Sequence, residues 1–112
     1  MIKNSIVLVP FPFDDFSASK VRPALCLTDK IGKYKNVIIA FISSKIAEDV
    51  LDSDIIVRKN SKEWERTGLL VDSIIRLHKV VTIPSSLIQR KLGNVNSSLE
   101  VQVSKRIQGL FN

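Results

Sequence analysis

The sequence has a single cysteine, a single histidine, only four glycines and no long apolar run. Each scarcity removes a class of function. Cys26 has no partner for an intramolecular disulfide, and it stands in an apolar stretch where a buried small hydrophobe is the default. A reducing, cytosolic setting is therefore expected. Cys26 and His78 are too few and too far apart in sequence to build the usual zinc sites. No glycine-rich loop is available to cradle phosphates, and there is no G-x-S-x-G elbow. No apolar run approaches the roughly 20 residues of a membrane span. The apolar stretch from Ile6 to Phe13 is interrupted by Pro10, Pro12 and the pair Asp14-Asp15 before any small-residue cleavage site, so it reads as a strand and not a signal. Metal-free acid–base chemistry, with no cofactor expected, is what remains.

What is present fits one soluble domain over residues 1–112. Hydrophobic residues make up 45% of the chain and charged residues 25%, a balance that excludes a disordered tail or a fibre. Lys and Arg number 17 against 11 Asp and Glu, a net charge of +6, and the pI is near 9.7. An extended anion such as nucleic acid is the partner this charge favours. A basic surface that binds nothing would show the same balance, and no dense Lys/Arg block marks a footprint.

Strand signals dominate. Ser5 to Phe11 reads as a first strand whose prolines place its end at an edge or rim. A polar loop from Asp14 to Lys20 follows. Val21 to Asp29 and Val37 to Ser43 are the next strands, with a turn at Gly32 between them. Ile55 to Arg58, Leu69 to Val71 and Ser73 to Ile83 supply further strand material, Asn60 to Gly68 forms a polar loop carrying Trp64, and a short ordered piece runs from Leu87 to Leu92. One long helix is expected at the C-terminus. Ser97 and Glu100 have capping-box spacing, and Leu99, Val103, Ile107 and Leu110 recur on one helical face. Many short strands and one amphipathic helix argue for a mainly β fold, a small antiparallel barrel with the helix packed on it.

Three groups of residues could carry chemistry. In "IIRLHKVV", the period of a strand places Arg76 and His78 on one face, with Ile75, Leu77 and, less surely, Lys79 on the other. Histidine is the side chain that donates or accepts a proton near neutrality. Arginine offers a planar fork to phosphate oxygens. A solvated polar face of a sheet would give the same pattern. Arg22 opens a strand after a loop, and Pro23 biases it toward extended backbone. In "AFISSK", Ser43, Ser44 and Lys45 end an apolar strand, where hydroxyls more often cap turns than bind ligands.

The order of "SIVLVPFPFDDFSASKVRPALCLTD", "VIIAFISS", "TGLLVDSIIRLHKVVTI" and "LIQRKLGNV", followed by a helix, resembles the MazF/PemK family of type II toxins over roughly Ser5 to Phe111. The resemblance implies an SH3-like barrel of the CcdB/PemK type, a cytoplasmic homodimer, and a metal-independent endoribonuclease that cleaves single-stranded RNA. In that reaction the ribose 2′-OH attacks the adjacent phosphate to leave a 2′,3′-cyclic phosphate. Carried over by position, it assigns catalytic roles to Arg22, Ser43 and Arg76. The residue two beyond Arg76, usually acidic in the family, is His78 here, which makes His78 the candidate proton-transfer group. Lys3-Asn4 also departs from the pair that relatives carry before the first strand. Phe16, Ser17 and Lys20 of the loop, with Ser44 and Lys45, are the expected RNA contacts. A cognate antitoxin with an acidic, disordered C-terminal segment is the expected protein partner. The competing expectation is a non-catalytic module of the same fold that inhibits a protein such as gyrase.

Overall fold

The computed structural model describes residues 1–10, 20–46 and 48–112. Its strands are β1 (Ser5–Pro10), β2 (Val21–Cys26), β3 (Asn36–Ser43), β4 (Asp54–Val57), β5 (Ser73–Pro84) and β6 (Arg90–Asn94). A 3₁₀ turn at Ser85–Leu87 precedes β6, and the helix α1 (Ser97–Leu110) ends the chain. All six strands lie in one antiparallel sheet in the order β4-β5-β3-β2-β1-β6. With β4 and β6 as its edges the sheet is a half-barrel, mainly β with one C-terminal helix, as the strand and helix signals predict.

Alternation along each strand feeds two separate cores. Ile6 of β1, Leu25 of β2, Ala40 and Ile42 of β3 and Ile55 and Val57 of β4 pack with Leu99 and Val103 of α1 on one face. Their neighbours Val7, Val9, Ala24, Cys26, Val37 and Ile39 form a second cluster on the opposite face. This is the period of two expected of a pleated strand buried on both sides.

β5 breaks that period. Ile75 and Leu77 belong to the helix-side cluster, whereas Ile83, with Val81 against it, belongs to the other. The register explains the change: Ala40 faces Val80, yet its neighbour Phe41 faces Arg76. Leu77, His78 and Lys79 are thus looped out of the ladder, and an odd number of extra residues turns every later side chain to the other face.

Other differences from the sequence reading have local causes. Leu69 to Val71 is not a strand. The Thr67 hydroxyl donates to the Trp64 carbonyl and accepts from the Leu69 N–H, and the Ser73 hydroxyl donates to the Val71 carbonyl. These local bonds occupy the groups a ladder would need. Gly68 adopts φ +74°, and a Cβ there would collide with the Leu92 carbonyl, so the segment lies tight against β6. β2 stops at Cys26, short of Asp29, whose carboxylate accepts the N–H groups of Ile2 and Lys3 at 2.8 and 2.9 Å. The Lys3 N–H above all holds the Asp29 carboxyl below its usual range.

The helix is capped one residue earlier than expected. Asn96, not Ser97, accepts the Leu99 N–H at 2.9 Å, while its amide donates to the Lys62 carbonyl. Leu99 and Val103 are buried, but Leu110 is 40% exposed, so the apolar stripe ends before it. Arg106 of α1 reaches across to donate to the carbonyls of Asp52 and Asp54, tying the helix to the start of β4.

Candidate active site

The β4–β5 ladder sets Asp54 directly opposite Arg76, and the β3–β5 ladder sets Phe41 on the other side of Arg76. Paired residues in neighbouring strands project to the same face, so Asp54 and Arg76 meet. The Arg76 Nε–H donates to Asp54 Oδ1 at 3.2 Å, and the carboxylate is wholly buried while Arg76 is 17% exposed. The other carboxylate oxygen accepts the Leu51 N–H at 2.8 Å. His78 Nδ1 lies 3.6 Å from the same Oδ1, an ion-pair distance and not a hydrogen bond. An acidic group does stand beside Arg76, then, but it comes from the adjacent strand and not from position 78.

Arg76 opens into a depression of about 490 Å³. Arg22 at the start of β2, Lys45 after β3 and Lys79 from the looped-out segment of β5 join it there. Ser43 and Ser44 at and after the end of β3, with Phe41 and Ile42 of the same strand, complete its lining. Four cations and no carboxylate among the described lining residues make a site for an anion. A second, apolar depression of about 340 Å³ shares Arg22, Ile42 and Ser44 with the first and is walled by Leu8, Val21, Pro23, Leu69, Leu70 and Leu92. The pair could seat a phosphate beside an apolar or stacked group.

The residues singled out from sequence are thus partly gathered. Arg22, Ser43, Ser44, Lys45 and Arg76 share one depression. His78 does not line it; it is 29% exposed and joined to Arg76 through Asp54. Lys20 is exposed and outside the lining, and Phe16 and Ser17 lie outside the described residues. The Ser43 hydroxyl accepts the Lys45 N–H at 3.0 Å and lies 3.4 Å from the Lys45 carbonyl, the turn-capping arrangement common to strand-end hydroxyls.

Two contributors escaped the sequence. Strict alternation turns Lys79 away from Arg76, and only the looped-out segment brings both to one cavity. Asp54 sits in "EDVLDSD", which reads as a solvated acidic loop, and nothing in the sequence singles out one of its four acids as buried. Elsewhere, burial first and the Asp29 charge second push the Cys26 thiol up to about 11, so it is a packed side chain and not a nucleophile. Among the described residues no group of three or more His, Cys, Asp or Glu side chains is placed to hold a metal ion, and no helix is long and apolar enough to cross a membrane.

A family model described as PemK-like, MazF-like toxin of type II toxin–antitoxin systems matches residues 3–111. The fold is similar to that of the Mycobacterium tuberculosis toxin MazF-mt6, with a TM-score of 0.71 and 23% identity over 96% of this chain and 95% of that one. It is also similar to an endoribonuclease from a mycobacterial species, solved in complex with its cognate antitoxin, with a TM-score of 0.69 and 7% identity over 99% and 94% of the two chains. At such identities the likeness speaks for the fold alone. No curated protein sequence matches the chain.

Proposed function

This chain belongs to the PemK-like, MazF-like toxin family of type II toxin–antitoxin systems, and from that premise we propose that it is a single-domain, metal-independent endoribonuclease that cleaves single-stranded RNA. The observation that carries the reading is the convergence of Arg22, Arg76, Lys45 and Lys79 on one depression with Ser43 at its end. The 2′-oxygen gives up its proton to a base, the bond from that oxygen to phosphorus forms, the bond from phosphorus to the 5′-oxygen breaks, and the departing oxygen takes up a proton. The products are a 2′,3′-cyclic phosphate and a 5′-OH. The crowded phosphate gathers negative charge on its non-bridging oxygens, which Arg22 and Arg76 stabilise as fixed donors. Ser43 adds a neutral hydrogen bond once its hydroxyl proton turns from the Lys45 carbonyl to the phosphate. His78, with Nδ1 turned to Asp54, keeps Nε2 for the proton transfer. The apolar depression beside the cations receives a neighbouring base.

The working form in this reading is a cytoplasmic homodimer, the commonest closed oligomer. An acidic, disordered antitoxin segment competes with RNA for the cationic depression. The test is to incubate the purified chain with a long single-stranded RNA in EDTA and to identify the product ends. Cleavage leaving cyclic phosphate and 5′-OH termini is expected. Intact RNA would sink the reading and favour a non-catalytic binding module, and cleavage only when divalent metal is restored would sink its metal-independent mechanism.

A further inference from the structure

We propose that Asp54 is the positioning residue of the cleavage site: from β4 it holds the Arg76 guanidinium by its Nε edge so that the terminal N–H groups face the scissile phosphate. The inference rests on the endoribonuclease reading above. A carboxylate with no exposed surface is costly to bury unless its oxygens are satisfied. Here both are, one by the Arg76 Nε–H and the other by the Leu51 N–H, which fixes the carboxylate at both ends. The backbone of the same residue is anchored in turn by Arg106 of α1, which donates to the Asp54 carbonyl at 3.0 Å. A guanidinium has five N–H donors in a rigid fork, and one N–H committed to Asp54 leaves the outer pair free for a bidentate contact with phosphate. Arg76 lines the depression while Asp54 does not, so the carboxylate sits behind the arginine and does not compete for the anion. Without this tether a long, rotatable arginine would have to be ordered at each turnover. Misplacing such a group by about 1 Å costs on the order of 10²-fold in rate.

The experiment is a double-mutant cycle read by RNA cleavage, with melting temperature recorded for every chain. Asp54→Asn keeps the shape of the side chain, but it cannot accept from both Arg76 and Leu51 as the carboxylate does. It is expected to lower kcat by about 10²-fold in the wild-type background. In the Arg76→Ala background the same substitution should lower cleavage by much less, because its effect runs chiefly through Arg76 and only weakly through His78, which stands 3.6 Å from the carboxylate without a hydrogen bond. Equal losses in both backgrounds would mean a general structural role and overturn the inference. Undiminished cleavage by a folded Asp54→Asn chain overturns it as well, and leaves the endoribonuclease reading standing. A wild-type chain that leaves RNA intact overturns that reading and the inference with it. Should Asp54→Asn fail to fold, the Arg76 Nε–H signal of the wild-type chain in nitrogen-15 NMR decides. Slow exchange with solvent, retained when RNA carrying a 2′-deoxy sugar at the cleaved position is bound, supports the tether. Exchange as fast as that of an exposed arginine overturns it.

Discussion

The hydrogen bonds at the two ends of the cationic depression differ in reach. At the β4–β5 wall Arg76 finds its acceptor in Asp54, 22 residues away in sequence and wholly buried. At the end of β3 the hydroxyl of Ser43 finds Lys45, two residues away and exposed. A bond of the first kind exists only when the sheet has assembled in its register. The second forms wherever the local turn forms. The β5 wall is therefore a product of the tertiary fold, and its disruption is expected to reach both stability and the proposed chemistry. The β3 end is an ordinary turn whose hydroxyl is at most borrowed by the substrate.

The largest expected effect follows from the proposed role of His78 in proton transfer. His78→Ala should lower cleavage by about 10²- to 10⁴-fold. RNA affinity and melting temperature should stay close to wild type, because the ring is partly exposed and makes no hydrogen bond to Asp54. A variant that cleaves at the wild-type rate across pH values from about 5 to 9 would place proton transfer elsewhere and leave His78 as a partly exposed side chain beside Asp54.

Arg76→Ala comes next and should separate the two ends most clearly. Loss of a donor aimed at developing charge costs about 10²- to 10³-fold in kcat. The same change strands the Asp54 carboxylate in the interior, and an uncompensated buried charge destabilises by about 3 kcal/mol. A chain that loses activity with an unchanged melting temperature would show that Asp54 does not depend on its arginine.

The difference in reach also explains what the sequence reveals and what it hides. Strand alternation, the punctuation at Pro84 and the helical stripe of Leu99, Val103 and Ile107 are short-range patterns, and they foretell a mainly β fold with one terminal helix. Ser43 was equally legible as a strand-end hydroxyl with a turn to cap. Asp54 was not, because nothing within "EDVLDSD" distinguishes the acid that will lie opposite Arg76 in a ladder. Strict alternation points Lys79 to the wrong face because the looped-out residues 77–79 reverse the parity of β5. The N-cap slipped by one for a similar reason, since Asn96 is chosen over Ser97 by its tertiary bond to the Lys62 carbonyl.

Extending a pH–rate profile upward has a ceiling set in the sheet that supports both ends. Cys26 is fully buried and its thiol is pushed from 9.0 up to about 11. The folded chain keeps this proton where the unfolded chain has lost it. The stability it contributes is therefore intact below pH 9.0 and is lost as pH rises from there to about 11. The loss is at most about 2 to 3 kcal/mol. Melting temperature measured against pH should fall across that window in the wild type and less in Cys26→Ala. Equal falls would assign the alkaline loss to other groups.

Ser43→Ala should have a smaller consequence than either change on the β5 wall. A neutral hydrogen bond is worth about 0.5 to 1.5 kcal/mol, so the cleavage rate should fall by no more than about tenfold. Stability should hold, since only a bond between exposed groups two residues apart is lost. A loss as large as that of Arg76→Ala would erase the distinction between the two ends and make the hydroxyl a principal stabiliser of the reacting phosphate.

The smallest effect tests where the distinction stops. Lys79 stands on the β5 wall and Lys45 on the β3 turn, yet both line the same depression and both are exposed. A charge acts on a phosphate through distance and screening, and how its own backbone was positioned does not enter. Lys79→Gln and Lys45→Gln should therefore weaken RNA binding alike. Each is expected to reduce the steepness of log affinity against log salt by about 0.7, the value for one phosphate contact on a single strand. The double variant should reduce it by about twice as much, because neither side chain depends on the other. Filter binding or fluorescence anisotropy over a salt series, with RNA carrying a 2′-deoxy sugar at the cleaved position, reads the slope directly. A slope that responds to Lys79 and not to Lys45 would confine the RNA path to the β5 wall. The turn after β3 would then serve the fold alone, and the cationic depression would be a one-sided site.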